Sequence, residues 1–474
     1  MPHLRAYVAW AFAAVLCACA TTPAPTDADL YTNFTLLDPA DERRTDDAWM
    51  LVSGGRILGT GHGRPPHAAS ARVHDMHGAF ALPGLIDTHA HVTLGRLAVR
   101  LENGAPVLNA TSEAEITAHS ARMLVAHGVT TIRNPGAATD ANAAYDEAVR
   151  SGAMIGPEQL AAGEILDSSR IDGLTLVVGD AESIEAAVAR QAAAGMDYIK
   201  LYQGLTEAQL RAGVEAAHRH GLRAITHTGA ISWTRAAELG VDGIVHAMPI
   251  SPDTLPPEAR AGYQGGDVAG AHAFYTWWER VDLDSPEIRQ MIGALVAHHV
   301  TVDLTLVVFH KTFWGDDPAV RDDGLQFAHP LMRENWRVFR FDLGWTPEHY
   351  ARARAVWPKI QRFARMLYEA GVPLTIGTDQ ANPFVAPGYD TLTEMRLHGE
   401  AGIPPWAVLR MATSDAAETL GLGGRIGRIA EGMEADIVFL AEDPSQDLHN
   451  LASTSAVLLN GAYLDVATLR AGQP

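Results

Sequence analysis

Residues 82–93 read LPGLIDTHAHVT, an apolar run that closes on His89 and His91 with one residue between them. Successive side chains of a β-strand point to opposite faces, so an H-x-H pair at a strand end turns two imidazoles to one side, a geometry that binds metal. Two ordinary histidines after a strand would give the same letters, and the difference lies in whether the rest of the chain supplies partners. It offers four: Lys200 in DYIKLY, His227 at the end of AITHTG, His246 in GIVHAM and Asp379 at the end of TIGTD. Only three lysines, Lys200, Lys311 and Lys359, stand against 33 arginines, so a lysine inside an apolar strand is not surface filler. An unpaired ammonium there would be costly to bury.

These residues need elements to position them. Helix-period segments near 113–127, 141–151, 181–195, 206–220, 233–239, 286–299 and 358–370 alternate with apolar runs at 129–133, 159–162, 197–202, 223–227, 243–247, 301–307 and 373–378. With the H-x-H strand this makes eight strand–helix alternations, which predict an α/β fold: a closed parallel (β/α)8 TIM barrel over residues 83–420. Barrel enzymes carry their chemistry at the carboxyl ends of the strands, where all six candidate residues fall. Short β segments with Gly54-Gly55 and Asn460-Gly461 as hairpin turns occupy residues 31–82 and 421–474. They predict a small β-sandwich built from both chain ends.

At 474 residues the chain suits a barrel plus a smaller unit, and 47% apolar with 19% charged residues is ordinary for a packed globular fold. A formal charge of −20 argues against nucleic acid as a partner, since phosphate recognition needs clustered Lys and Arg.

Taken together, PGLIDTHAH, GVTTIRNPGA, IKLY, GIVH, IGTD, ATSDAAETLGL and GRIAEGMEADIVFL, spread over residues 31–466, resemble the amidohydrolase superfamily in its binuclear, lysine-bridged form. The resemblance implies two divalent metal ions. One would be held by His89, His91 and Asp379 and the other by His227 and His246, with a carboxylated Lys200 bridging both. A carbamate turns the ammonium into an anion with two oxygens, and His and carboxylate ligands suit zinc. It also implies amide hydrolysis by a hydroxide shared between the metals, with Asp379 taking its proton and passing it to the leaving nitrogen.

Among subgroups the chain is most similar to the prolidase-like and imidazolonepropionase-like amidohydrolases, so the expected substrate is a small dipeptide or N-acyl amino acid. It departs from many relatives after the third strand, where Ser169-Arg170-Ile171-Asp172-Gly173 replaces a Gly-Gly-His-Gly loop. Arg170, Tyr202, His310 and Lys311 follow strand ends closely and are candidates for binding a substrate carboxylate or carbonyl. Six tryptophans between residues 277 and 357 suggest an aromatic lid over the last strand ends. Two other readings stay open: a hydrolase of a cyclic amide, lactone or carbamate on the same metals, and a lipid-anchored binding protein without chemistry. A homo-oligomer is compatible with the sequence.

The first residues read as a targeting segment: Arg5 supplies positive charge and residues 8–18 are apolar over signal-peptide length. Leu16-Cys17-Ala18-Cys19 resembles a bacterial lipobox, which implies a signal peptide at residues 1–18, a lipid anchor on Cys19 and a linker over residues 19–30. The expected place is the bacterial cell envelope, with the enzyme facing the periplasm. Cys17 and Cys19 are the only cysteines, so the mature fold has neither a disulfide nor a thiolate metal site. Cys19→Ser is expected to move the protein from the membrane fraction to the soluble fraction with hydrolytic activity intact; continued membrane association would exclude the lipid anchor.

Overall fold

Alternating side chains and glycine turns build the two chain ends into one sheet. Gly54 and Gly55, both at positive φ, join Arg43–Ser53 to Arg56–His62, and Asn460 and Gly461 do the same between Thr454–Leu459 and Ala462–Asp465. The computed structural model of the chain describes residues 28–65, 70–103, 105–263 and 271–472; the leader, Cys17, Cys19 and most of the expected linker lie outside them. Seven strands pair in the order Ala462–Asp465, Thr454–Leu459, Ile437–Leu440, Arg72–Pro83, Asp29–Asp38, Arg43–Ser53 and Arg56–His62. Only Asp29–Asp38 and Arg72–Pro83 run parallel. Tyr31, Phe34, Met50, Ile57, Ile437 and Phe439, drawn from both ends, form one buried cluster on it.

Between the ends lie eight short core strands, each followed in the chain by helical connections: Leu85–Asp87, Val129–Asn134, Glu158–Ala161, Tyr198–Leu201, Arg223–Thr226, Gly243–Val245, Thr301–Asp303 and Leu374–Thr375. Apart from Glu158–Ala161, whose side chains alternate between half-buried and buried, and the first residues of two others, they are buried on both faces, as parallel strands covered by helices must be, which is why they read as largely apolar runs. The first three form one parallel sheet; the other five form a second, extended at its edge by Ile165–Asp167 and Thr175–Val177. Backbone bonds join the two sheets on both sides: Asp197 N donates to Ala161 O at 2.8 Å, and Thr88 N donates to Ile376 O at 2.7 Å. Helix starts follow local chemistry, with capping boxes at Asp180/Ser183 and Thr206/Gln209 and hydroxyl caps at Ser232 and Ser285.

Three local expectations are corrected, and one element was not expected. The seventh strand ends at Asp303 rather than continuing to Val307, and Leu306–Phe313 is a helix. Thr305 turns the chain at φ 47°, and the Glu394 carboxylate, 88 residues away in sequence, accepts from Leu306 N and Val307 N and so caps the new helix. A short apolar run has no periodicity that distinguishes it from a buried helix. The helix expected from residue 358 instead spans Pro347–Glu369, with Pro358 inside it. Its buried stripe of Tyr350, Ala353, Val356, Ile360, Phe363 and Leu367 outweighs the roughly 3 kcal/mol that an interior proline costs. The eighth strand is reduced to Leu374–Thr375. Finally, the hairpin Leu97–Glu102 and Ala105–Ala110 has no counterpart in the sequence reading, although Asn103 followed by glycine is a hairpin dipeptide.

Of the six tryptophans, Trp277, Trp278, Trp336 and Trp357 are buried and pack into core clusters, and Trp314 and Trp345 are half-buried. Among the described residues no helix is long and apolar enough to cross a membrane.

Gly377, just beyond the eighth strand, shows how tightly the strand ends pack. A β-carbon there would stand 2.7 Å from His89 Cβ, closer than such atoms approach, and a tight 3.0 Å from Asp303 Cβ. Gly377→Ala is therefore expected to destabilise the fold by about 1–3 kcal/mol and to lower metal content, read by denaturant unfolding and elemental analysis. An unaltered unfolding midpoint with full metal content would show that the strand ends yield.

Candidate metal centre

The H-x-H signal folds as the sequence suggests: Leu85–Asp87 ends two residues before His89, and the chain beyond it holds both imidazoles inward, 1% and 6% exposed. Asp379 follows the eighth strand, at φ 59°, and its N–H donates to His89 O at 2.7 Å. Its Oδ1 stands 3.3 Å from His89 Nε2 and 3.2 Å from His91 Nε2. These three ligand atoms lie within 4.8 Å of one another.

The protons make this arrangement informative. His91 Nδ1 donates to Gly136 O at 2.5 Å, because a carbonyl only accepts, and its Nε2 is then a bare lone pair facing a carboxylate oxygen. His89 Nδ1 meets Asp303 Oδ1 at 2.7 Å, which by the same logic turns the His89 Nε2 lone pair toward Asp379. Three acceptors converge where only a proton or a metal cation relieves their repulsion. Burial tends to lower the pKa of His89, but the carboxylates of Asp303 and Asp379 outweigh it and hold the group above its usual value. His91 is lowered, chiefly by burial. Burial opposes ionisation of Asp379, yet the positive charge that His89 favours beside it keeps it well below the usual carboxylate range. The pocket is thus built to stay negative at Asp379.

The other expected ligands adjoin this group. His246, at φ 67°, packs its ring 4.7 Å from those of both His89 and His227, and its Nδ1 lies 3.0 Å from Thr305 Oγ1 and 3.6 Å from Asp379 Oδ2. Burial, with Lys200 adding to it, brings His227 down to about 3, so both imidazoles are neutral and able to ligate. Lys200 is 1% exposed on the fourth core strand, and burial lowers its ammonium to about 7. Lys200 Nζ and both ring nitrogens of His227 are buried without any hydrogen-bond partner. Leaving such groups unpaired costs about 1–3 kcal/mol each, so their company at one site fits residues awaiting a ligand.

Of the four substrate candidates, Tyr202 is in the group: its ring stands edge-on to His227 at 4.9 Å. Arg170 is exposed and bound to Asp172 at 2.5 Å and Glu102 at 3.3 Å. Lys311 is buried, donating to Asp323 O at 2.5 Å and lying 3.6 Å from Asp390. His310 packs between Trp314 and Trp357 at 4.8 and 5.5 Å, and its buried Nδ1 has no partner.

Sequence reading missed the residues that hold the ligands. Asp303 is buried between His89 and Arg133, whose guanidinium donates to it at 2.6 Å and to Thr88 O at 2.7 Å. Asp87, held up at about 6 by burial against bonds from His89 N and the Thr378 and Thr391 hydroxyls, braces the same strand ends. Both aspartates end apolar core strands, the signal that singled out Asp379.

The sequence profile of the Amidohydrolase family matches residues 80–462. An imidazolonepropionase from Rubrobacter xylanophilus is 27% identical over 426 residues, 83% of this chain and 84% of that one. The structure superposes on that of a Xaa-Pro dipeptidase with methionine bound in its active site, at a TM-score of 0.67 and 20% identity, covering 92% of this chain and all of the other. It also superposes on a bottromycin amidohydrolase at a TM-score of 0.68 and 24% identity, covering 94% and 88%.

Asp303→Asn keeps the shape but strands the buried Arg133 charge, so a loss of about 3–5 kcal/mol is expected in denaturant unfolding. With the His89 ring no longer fixed, metal affinity should fall about 10–100-fold by competition with a chelator. Wild-type values for both would mean that Asp303 does not position His89.

Proposed function

The chain belongs to the amidohydrolase family, hydrolases of carbon–nitrogen bonds, and on that premise we propose that it is a binuclear metal enzyme cleaving the amide bond of a dipeptide or N-acyl amino acid. The observation that carries this reading is the convergence of one ligand atom each from His89, His91 and Asp379 within 4.8 Å of one another, beside the unpartnered Lys200 and His227. His89, His91 and Asp379 would hold one divalent ion, His227 and His246 the second, and a carboxylated Lys200 would bridge them, with zinc the ion that suits the donors. Bound there, such ions supply Lewis acidity toward a carbonyl and lower the pKa of water.

The residues themselves do the rest. A lysine amine lowered to about 7 is partly neutral near neutrality, the form that adds carbon dioxide, forming a C–N bond and releasing one proton. Asp379 is kept ionised, and its Oδ2, clear of His89 and His91, is the atom suited to take a proton and return it to the leaving nitrogen. Asp303 and Arg133 fix the His89 tautomer, and the Gly136 carbonyl fixes that of His91.

The scaffold of this reading is a closed (β/α)8 barrel, supported by the bonds that join the two parallel sheets on both sides, with a smaller unit at residues 31–82 and 421–474 whose strands form one seven-stranded sheet and not the two of the expected β-sandwich. A lipid-anchored, periplasm-facing form rests on the Cys19 lipobox alone. A second reading, hydrolysis of a cyclic amide, is favoured by the imidazolonepropionase likeness over 83% of the chain.

Purified enzyme is expected to hold about two divalent ions per chain and to hydrolyse members of a panel of dipeptides and N-acyl amino acids, with loss of activity to chelators. Lys200→Ala should lose both metal pairing and activity, and short carboxylic acids should restore part of each. A stoichiometry of one, or full activity in Lys200→Ala, overturns the binuclear reading; turnover confined to cyclic amides transfers the assignment to the second.

A further inference from the structure

A second cavity of about 250 Å³ is lined by His127, Phe327, Tyr389, Leu392, Arg396 and Arg470, with Leu448 and His449 at its other wall, and by no residue of the metal cluster. Its charge is unusual for this chain. Acidic residues outnumber basic ones by 56 to 36, and most arginines of the described structure are paired with carboxylates. Arg396 instead donates to Thr393 Oγ1 at 3.0 Å. Arg470 reaches Ala126 O at 3.4 Å and lies over the Phe327 ring at 5.4 Å. Among the described residues neither meets a carboxylate. Two carboxylates do touch the lining, and both are engaged: Asp323 accepts from Tyr389 O–H at 2.8 Å, and Asp447 pairs with His449 at 2.9 Å.

His127 supplies an independent observation. It is 1% exposed, and its Nδ1 lies 2.8 Å from Met123 O, to which it must donate. Nε2 is therefore an acceptor, buried and without a partner. Phe327 and Tyr389 stand edge-on to the ring at 4.6 and 6.1 Å, giving the cavity an aromatic wall. Burial holds this imidazole neutral, down to about 3, so its need is for a hydrogen-bond donor and not for a counter-ion.

We propose that this cavity is a binding site for a small organic anion: an oxyanion head between Arg396 and Arg470, on a compact apolar or aromatic body against Phe327, Tyr389 and Leu392. Guanidinium forks recognise carboxylate and phosphate oxygens alike, and a hydroxyl or N–H on the ligand would satisfy His127 Nε2. The site holds the helix Tyr389–Glu400 on the face opposite its bonds to the metal centre, where Thr391 donates to Asp87 and Glu394 accepts from Leu306 N.

Isothermal titration of the purified chain with benzoate and with inorganic phosphate, against benzyl alcohol as the uncharged control, tests this. Saturable benzoate binding is expected, with phosphate weaker for want of the apolar body and benzyl alcohol silent. Arg470→Gln and Arg396→Gln should each weaken benzoate about tenfold or more, Arg396→Lys should recover part of that loss, and His91→Ala should leave it unchanged. Thermal melting of each variant without ligand establishes that it is folded. The site is refuted if neither anion binds saturably, if the folded glutamine variants bind benzoate as the parent does, or if His91→Ala abolishes binding, which would place the anion at the metal centre.

Discussion

Three acceptors meet at Asp379 Oδ1, and the core is arranged to keep them there. Two imidazole Nε2 atoms within 3.3 Å of a carboxylate oxygen, away from water, stay together only if a proton or a metal cation lies between them. The surroundings therefore resist relaxation: Asp303 and the Gly136 carbonyl take the outer nitrogens of His89 and His91, so neither ring can turn away without breaking a buried hydrogen bond. Arg133 then neutralises Asp303 from behind, which makes the ion pair part of the site's geometry more than a source of net stability.

Backbone strain gathers at the same place. His246, Thr305 and Asp379 all sit in the left-handed region, which costs a non-glycine residue about 1–2 kcal/mol. Each lies just past a core strand, where the chain must reverse and aim its side chain inward at once. Gly377 is the complementary case: the residue before Thr378 must lack a side chain because His89 and Asp303 fill the space.

The helix Tyr389–Glu400 ties these features together. Thr391 bonds Asp87, which in turn receives the His89 N–H, and Glu394 caps the helix that follows Thr305. Burial raises Glu394 well above the usual carboxylate range in spite of two backbone donors, so this brace is a polar group enclosed deep in an apolar surround. One helix thereby fixes the first and seventh strand ends relative to each other.

Much of this was legible in the chain. Strand-like apolar runs ending in His, Lys or Asp located His89, His91, Lys200, His227, His246 and Asp379, because strand direction and side-chain alternation are local properties. The Gly54-Gly55 and Asn460-Gly461 turns gave the terminal hairpins for the same reason. Tertiary structure alone decided the rest. Asp303 and Asp87 stand at strand ends as Asp379 does, but what they and Arg133 hold is settled only when distant segments meet, and 214 residues separate His89 from the carboxylate that orients it. The end of the seventh strand at Asp303 depended on a cap from Glu394, and Pro358 stayed inside its helix because a buried stripe outweighed a local penalty. The tryptophans could be counted from sequence, but whether each covers the site or fills the core depends on which neighbours exclude water from it, and contacts of that kind form only in the folded chain.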